Sequence, residues 1–205
     1  MGTTEKIYFY PFWLRIWHAV NALAIIILIF TGLSMQSSID TPIIGFNMAV
    51  NLHNIAGIVV FAGYFVFFMF NLLTSNGAYY LLKRKNFFKN LVKQGSYYGW
   101  GMFHGAKHPF PLSEKRKFNP LQKVSYLLVM YLAVPVVIVT GIALLFPELI
   151  IDKAWGISGV FMTAILHAAM GFFISVFLVI HLYIASVGKS PLENYKSMIS
   201  GWHHL

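Results

Sequence analysis

A chain of 205 residues with 58% hydrophobic and only 10% charged residues does not have the composition of a water-soluble domain, in which about 25% of residues are charged. The formal net charge is +9, but the basic residues lie between and around long apolar stretches. Length, composition and charge therefore exclude a soluble enzyme, a nucleic-acid-binding protein and a disordered tail, and they predict an integral membrane protein.

Four stretches without a formally charged side chain are each longer than the about 20 residues that cross the hydrocarbon core of a bilayer. Because backbone groups in lipid must hydrogen-bond within their own segment, each is predicted to be a helix. Pro135 lies inside the third stretch and is expected to kink it. The sequence predicts one all-α membrane domain, a four-transmembrane-helix bundle over residues 1–205. The predicted spans are about 17–35, 48–72, 124–146 and 160–187.

Basic residues are concentrated on one side of this arrangement. Ten lie in the loop over residues 73–123, two precede the first span and two follow the fourth. The other two connections hold only Lys153 together with three acidic residues. By the positive-inside rule, both termini and the long loop are expected in the cytoplasm. The protein is thus predicted to be a multi-pass protein of a bacterial or archaeal cytoplasmic (inner) membrane.

Four histidines lie in or at the ends of the spans: His18, His53, His167 and His181. An ionisable side chain in a membrane segment is costly and indicates a functional site, although a histidine bonded to a neighbouring helix is the alternative. His181 follows His167 by fourteen residues, which is about 21 Å along a helix and within about 40° of the same face. Alternating span directions then predict two pairs, His53 with His167 at the outer side and His18 with His181 at the cytoplasmic side.

Two imidazoles at each depth favour haem over other cofactors. Haem iron takes two axial ligands, and histidine is a common one, whereas zinc normally takes four ligands or three and a water. A proton relay usually includes Asp or Glu, and neither lies in a span. Two bis-histidine b-type haems are the preferred interpretation. Gly57 and Gly171, each one turn after a predicted ligand, would let a flat macrocycle approach, although glycine also serves helix packing.

Thr31-Gly32 and Thr140-Gly141 indicate a repeat of two helical hairpins. The repeat does not include all the ligands, because Phe67 is at the position in span two that matches His181, and Leu127 is at the position in span three that matches His18. Span three is therefore expected to contribute no ligand.

This pattern resembles the bacterial di-haem cytochrome b membrane subunits. They include the formate dehydrogenase gamma subunit, the nickel–iron hydrogenase cytochrome b and the thiosulfate reductase cytochrome b, together with prokaryotic cytochrome b561-like proteins. The resemblance covers nearly the whole chain. It rests on Trp17-His18, His53, His167 and His181, on the segment Lys117-Phe118-Asn119-Pro120-Leu121-Gln122-Lys123, and on Thr140-Gly141.

The resemblance implies one haem held by helices two and four, another held by helices one and four, and a quinone site beside the cytoplasmic haem. Asn119 matches the asparagine of the family's loop motif near that quinone site, and Gln122 is a weaker candidate by proximity. The alternative for both is helix capping, since Pro120 follows Asn119. Arg15, one turn before His18, is a candidate partner for a haem propionate, because Arg pairs well with carboxylates, or only a topology signal.

The preferred function is an electron-transfer subunit of a respiratory oxidoreductase complex rather than a complete enzyme, with no catalytic residue of its own. It would pass electrons between the membrane quinone pool (menaquinone or ubiquinone) and an outer-face partner. That partner would be an iron–sulfur or c-type cytochrome subunit of a hydrogenase, formate dehydrogenase or reductase-type complex. The alternative is a stand-alone cytochrome b561-like superoxide:quinone oxidoreductase. A transporter or proton channel that uses the histidines without haem is a third possibility.

The loop also carries predictions. Phe87-Phe88 and Leu91-Val92 alternate with lysines, which predicts a short amphipathic helix on an anionic membrane surface. His104 and His108 would share a helical face, but nearby Gly and Pro residues disfavour a helix there. His203 and His204 at the chain end are expected to be solvated.

Overall fold

The computed structural model describes residues 6–36, 44–74, 77, 86–111, 118–187 and 190–204. Its helices are α1 (Phe12–Gln36), α2 (Phe46–Leu73), α3 (Phe87–Gly99), α4 (Pro120–Leu145), α5 (Gly159–Ala185) and α6 (Glu193–Ser200). Its short strands are β1 (Lys6–Tyr8), β2 (Lys153–Ala154), β3 (Ile157–Ser158) and β4 (Trp202–His204).

Within these ranges, four helices are long and apolar enough to cross a membrane: α1, α2, α4 and α5. The predicted all-α fold with four spans is confirmed. The observed helices begin up to five residues before the predicted spans. The difference between observed and predicted starts is largest at α1, because its first turn contains aromatic and basic residues, Phe12, Trp13 and Arg15. Such residues suit the interface between lipid and water rather than the lipid core.

The bundle consists of two helical hairpins, α1 with α2 and α4 with α5. In the connection of the second hairpin, β2 and β3 pair antiparallel across a two-residue turn. Both turn residues, Trp155 and Gly156, have positive φ values of 51° and 81°, as tight hairpin turns require. We call the end where α1 ends and α2 begins, together with the connection 146–158, the hairpin end, and the opposite end, where β1 and β4 lie, the terminus end.

Small residues let the helices approach each other at the centre of the bundle. Ala24 of α1, Ala56 of α2 and Ala133 of α4 are buried there together with apolar side chains of α4 and α5. Small side chains at such interfaces are typical of helices packed within a membrane, where close backbone contact rather than a hydrophobic driving force holds the helices together.

The distortion expected at Pro135 is a π turn. α4 is α-helical from Pro120 to Leu128, forms the π turn Val129–Ala133, and is α-helical again from Val134 to Leu145. Pro135 has no N–H to donate to the carbonyl group four residues earlier, at Tyr131, so the regular hydrogen-bond ladder cannot continue through this segment.

At the terminus end the two chain termini pair with each other. β1 and β4 are antiparallel, with Tyr8 opposite Trp202. His203 is only 9% exposed, because this pairing places its ring 6.0 Å from that of Phe9 and its Nδ1 3.0 Å from the hydroxyl of Ser197. The prediction that His203 is solvated is therefore wrong, and the side chain of His204 lies outside the described residues.

The amphipathic loop segment forms a helix as predicted, α3. It exposes Phe88 and Val92 on one side and buries Gln94 on the other, where it packs against the start of α4. His104 ends a 3₁₀ turn after α3 and His108 lies beyond that turn, so the two histidines do not share a helix. Contact of α3 with lipid stays a prediction.

Candidate functional site: two histidine pairs

The structure brings the four histidines together in the two predicted pairs. His18 of α1 and His181 of α5 lie near the terminus end, with ring centres 6.2 Å apart and ring planes at 49°. His53 of α2 and His167 of α5 lie near the hairpin end, with ring centres 6.1 Å apart and planes at 61°. We call them the terminus-end pair and the hairpin-end pair.

The spacing within each pair suits one metal ion between two imidazoles. Two metal–nitrogen bonds of about 2 Å, with ~1.1 Å from each nitrogen to its ring centre, place the centres about 6 Å apart. In the described part of the chain, no three His, Cys, Asp or Glu side chains cluster as metal ligands, which disfavours a zinc site. A haem needs only two protein ligands because its macrocycle occupies the equatorial positions.

In the hairpin-end pair, two threonines orient the rings. The Oγ1 atoms of Thr31 and Thr140 lie 2.9 Å from Nδ1 of His53 and His167, respectively. Each threonine hydroxyl donates its proton to the carbonyl oxygen four residues earlier, at 2.7 and 2.6 Å, so its oxygen accepts from Nδ1. Nδ1 of each ring is thus protonated, and Nε2 keeps the lone pair that can bind a metal.

Two glycines contact this pair, and two more lie one turn after its histidines. A Cβ at Gly32 would lie 3.6 Å from the ring of His53, and one at Gly141 would lie 3.2 Å from the ring of His167. By contrast, a Cβ at Gly57 or Gly171 would meet nothing within 4 Å. One turn after each ligand, α2 and α5 therefore border open space, as a flat macrocycle requires.

The terminus-end pair has a different environment. The ring of Phe177 stacks on His181 at 5.6 Å and 20°, and Tyr126 meets His181 edge-on at 6.3 Å. No hydrogen-bond partner of His18 or His181 is found among the described residues. Next to His18, the indole of Trp17 donates to the carbonyl oxygen of Gly63 at 2.7 Å and ties α1 to α2.

Comparison with known proteins identifies the family. The family described as prokaryotic cytochrome b561 matches residues 9–201. The chain belongs to this family. It is also similar to "Putative cytochrome YdhU" of Escherichia coli (strain K12), with 33% identity over 199 residues, which are 97% of this chain and 75% of that protein. The protein is thus a cytochrome b membrane protein of electron transfer, in the bacterial inner membrane, and the family implies b-type haem.

The donor set of this cytochrome fits b-type haem. Each pair offers two imidazoles at the right spacing, the surrounding helices are apolar, and the hairpin-end pair has open space beside it. His18, His53, His167 and His181 are the residues that would hold the iron, and their role as ligands stays a prediction.

Arg15 lies one turn before His18, as predicted, and binds the C-terminal helix. One of its terminal nitrogens donates to the backbone carbonyl oxygen of Ile199 in α6, and its guanidinium carbon lies 5.4 Å from the ring centre of Phe12. Its Nε is buried without a partner in the described ranges. One polar atom of Arg15 is thus left for an anion such as a propionate, and that role stays a prediction.

Asn119 and Gln122 form a capping box at the start of α4. The side-chain oxygen of Asn119 accepts from the N–H of Gln122 at 2.9 Å, and that of Gln122 accepts from the N–H of Asn119 at 3.1 Å. The side-chain amide of Asn119 also donates to the hydroxyl of Tyr98 at 2.9 Å. The structure therefore shows the capping role that the sequence left open, and a role of either residue at a quinone stays a prediction.

Sequence reasoning missed two residues of α3 that face this capping box. Gln94 is fully buried, and its amide lies beside the hydroxyl of Tyr98 without making a hydrogen bond of regular geometry within the described residues. Burial raises the pKa of Tyr98, and its interactions with the side-chain amides of Asn119 and Gln94 only partly oppose this, so Tyr98 carries a neutral hydroxyl. The four-residue spacing of Gln94 and Tyr98 on one face of α3 is the signal that could have found them.

Aromatic rings connect this polar cluster to the terminus-end pair. Phe118 packs edge-on against Tyr126 at 5.0 Å, and Tyr126 contacts His181. His108 lies 4.8 Å from the ring of Tyr97, next to Tyr98. Its Nδ1 accepts the N–H of Phe110 at 3.2 Å, and burial lowers the pKa of His108. Tyr98 and His108 are thus both neutral at pH 7.

Proposed function

We propose that this cytochrome is a two-haem, quinone-linked electron-transfer subunit of a respiratory complex. The observation that carries the proposal is the presence of two similarly spaced histidine pairs, with ring centres 6.2 and 6.1 Å apart, at different depths of one bundle. Haem bound at each pair would supply one-electron chemistry. The chain would hold, orient and shield the two groups so that electrons cross the membrane.

The placement of the pairs on α5 supports such a route. His167 and His181 are fourteen residues apart on one uninterrupted helix, which is about 21 Å at 1.5 Å per residue. The two sites therefore lie in opposite halves of a hydrocarbon core about 30 Å thick. With the basic loop and both termini in the cytoplasm, the hairpin-end pair lies near the outer face and the terminus-end pair near the cytoplasmic face.

The polar cluster at the terminus end supports a quinone site there. The neutral hydroxyl of Tyr98 and the buried amides of Gln94 and Asn119 offer hydrogen bonds to the carbonyl oxygens of menaquinone or ubiquinone. The buried amide of Gln94 lies beside the hydroxyl of Tyr98 but makes no hydrogen bond of regular geometry among the described residues, and a buried polar group without a good partner costs about 1–3 kcal/mol. A quinone head group bound beside α3 would remove that cost.

The hairpin end supports docking of a separate redox protein. The connection 146–158 is short and exposes Leu149, Ile151 and Trp155, the last to 91%. Exposed apolar and aromatic residues of this kind are typical of interfaces. An iron–sulfur or c-type cytochrome subunit of a hydrogenase, formate dehydrogenase or reductase-type complex would suit this surface. The nearby acids Glu148 and Asp152 disfavour the alternative, a stand-alone enzyme that takes superoxide, because they repel an anionic oxidant.

The test is an optical redox titration of the purified chain in mild detergent, with haem quantified per protein and a quinol analogue as reductant. We expect two b-type haems per chain, both reduced by quinol, with distinct midpoint potentials. A colourless protein would refute the proposal and would favour a proton relay or a transporter that uses the histidines without haem. Rapid reduction by superoxide without any partner protein would favour the stand-alone alternative.

A further inference from the structure

The hairpin-end pair has an internal symmetry that the ligands alone do not explain. Thr31 of α1 bonds His53 on α2, and Thr140 of α4 bonds His167 on α5, both at 2.9 Å. In each hairpin the first helix thus supplies a threonine and the second helix a histidine. The residue after each threonine is a glycine whose missing side chain makes room for the same ring.

The direction of each hydrogen bond follows from the threonine's own proton. Each hydroxyl lies within hydrogen-bond distance of the carbonyl oxygen four residues earlier, at 2.7 Å for Thr31 and 2.6 Å for Thr140. A carbonyl oxygen can only accept a hydrogen bond, so each hydroxyl donates its proton to it. The threonine oxygen therefore accepts from Nδ1–H of the imidazole. Both threonines are also buried, with exposed fractions of 1% and 7%, so water does not compete for this bond.

We infer that Thr31 and Thr140 are positioning residues that hold His53 and His167 with Nδ1 protonated and Nε2 directed between the two rings. The inference rests on the proposed two-haem function. It adds that the two haem sites differ in the hydrogen bonding of their histidine ligands. In the described part of the chain, the terminus-end pair has no such hydrogen bond. The threonines therefore act on one haem and not on the other.

The chemical consequence concerns the iron that this pair would hold. A hydrogen bond from Nδ1–H makes the imidazole a more basic ligand and fixes its orientation, and loss of such a partner lowers metal affinity about 10–100-fold. A more basic ligand stabilises the oxidised iron, which lowers the reduction potential. Removal of a threonine hydroxyl should therefore raise one midpoint potential and weaken haem retention at that site only.

The test compares Thr31→Val and Thr140→Val with the wild-type chain. Valine keeps the shape of threonine and removes the hydroxyl. Thr163→Val is the matched control, because Thr163 also bonds the carbonyl oxygen four residues earlier, Gly159, at 2.9 Å, but makes no hydrogen bond to a histidine among the described residues. Thr31→Ser keeps the hydroxyl and is the conservative variant. The measurements are haem per chain, both midpoint potentials, and the low-spin ferric signals by electron paramagnetic resonance.

We expect each valine variant to raise one midpoint potential and change one ferric signal, with the other haem unaltered. Haem affinity at the altered site should fall about tenfold or more. Thr31→Ser and Thr163→Val should match the wild type. If a valine variant is not recovered in membranes, the alanine and serine variants at the same position provide the comparison with and without the hydroxyl.

Two outcomes would overturn the inference, and they differ in whether the proposed function also fails. Two haems in the wild type, with potentials and ferric signals that are the same in both valine variants, would show that the threonines only pack the helices and would leave the proposed function intact. Absence of haem from the wild type would refute the proposed function, and the inference with it.

Discussion

The two histidine pairs have nearly the same ring spacing, 6.1 and 6.2 Å, but reach it in different ways. The hairpin-end pair takes its histidines from the second helix of each hairpin, α2 and α5, and each is held by a threonine of its own hairpin. The terminus-end pair takes His18 from α1 and His181 from α5, and aromatic rings surround His181 instead. One pair is thus a product of the repeat, and the other departs from it.

Where the terminus-end pair departs from the repeat, other side chains take the positions of histidines. At the depth of the terminus-end pair, α2 has the buried Phe67 and α4 has Leu127, where the repeat would place further histidines. α4 is instead contacted by α3, which brings the polar side chains of Gln94 and Tyr98 to its first turn. A symmetric bundle would have two equal ends. In this one, we propose that one end binds a redox partner and the other a polar ligand.

Loss of a ligand should give the largest effect. His53→Ala and His18→Ala should each lower haem content from two per chain to one, because a single imidazole holds haem weakly. The spectrum that remains should differ between the two variants, and His108→Ala should retain both haems. Haem quantification and redox titration provide the measurement. Loss of both haems from His53→Ala would contradict the independence of the two sites.

The open space beside the hairpin-end pair should be the next most sensitive feature. Gly57→Phe and Gly171→Phe should fill it, because a side chain there meets nothing within 4 Å, and should remove most haem from this site alone. Ala62→Phe and Ala169→Phe are matched controls at exposed positions of the same two helices. They should retain both haems. Equal haem loss in the controls would indicate general misfolding rather than filling of the space beside these two glycines.

The polar cluster at the terminus end should respond to a smaller change. Tyr98→Phe removes one hydroxyl that is kept neutral by burial, and the rate of haem reduction by quinol should fall about tenfold, the equivalent of one hydrogen bond of about 1.4 kcal/mol. Reduction by dithionite should not change. Tyr97→Phe, on the neighbouring residue, is the control. An unchanged quinol rate in Tyr98→Phe would exclude this hydroxyl from quinone binding.

The smallest effect is expected from the ring that packs on His181. Phe177→Leu removes a stacked aromatic contact worth about 0.5–1.5 kcal/mol, and should shift the spectrum and potential of the terminus-end haem slightly while both haems are retained. Phe172→Leu, at a position of α5 that is 72% exposed, should have no effect. A shift confined to the hairpin-end haem would reverse the assignment of the two signals.

Much of the site could be predicted from the sequence because membrane helices limit the geometry. The span boundaries place each histidine at a depth, and the fourteen-residue spacing places His167 and His181 on one face. Those rules produced both observed pairs. The capping of α4 could also be predicted as an alternative role, because Asn119 and Gln122 are only three residues apart in sequence.

Long-range contacts could not be predicted in the same way. His203 was expected in solvent and is buried, because β4 pairs with a strand nearly two hundred residues earlier in the chain. No role was predicted for Gln94 from the sequence, and the packing of α3 on α4 buries it. In both cases the contacting segment is distant in sequence, so the pattern of residues within one segment does not predict the contact.

The sequence by itself determined that the protein crosses the membrane four times, which side chains are candidates for metal binding, and which of them share a depth. These properties follow from hydrophobic length and helical period, which are local. The tertiary structure alone decided that Thr31 and Thr140 bond the hairpin-end histidines, that Gly57 and Gly171 border open space, and that the two pairs differ in their surroundings. The physical reason is that hydrogen bonds and cavities between helices depend on helix rotation, which is set by packing across the whole bundle.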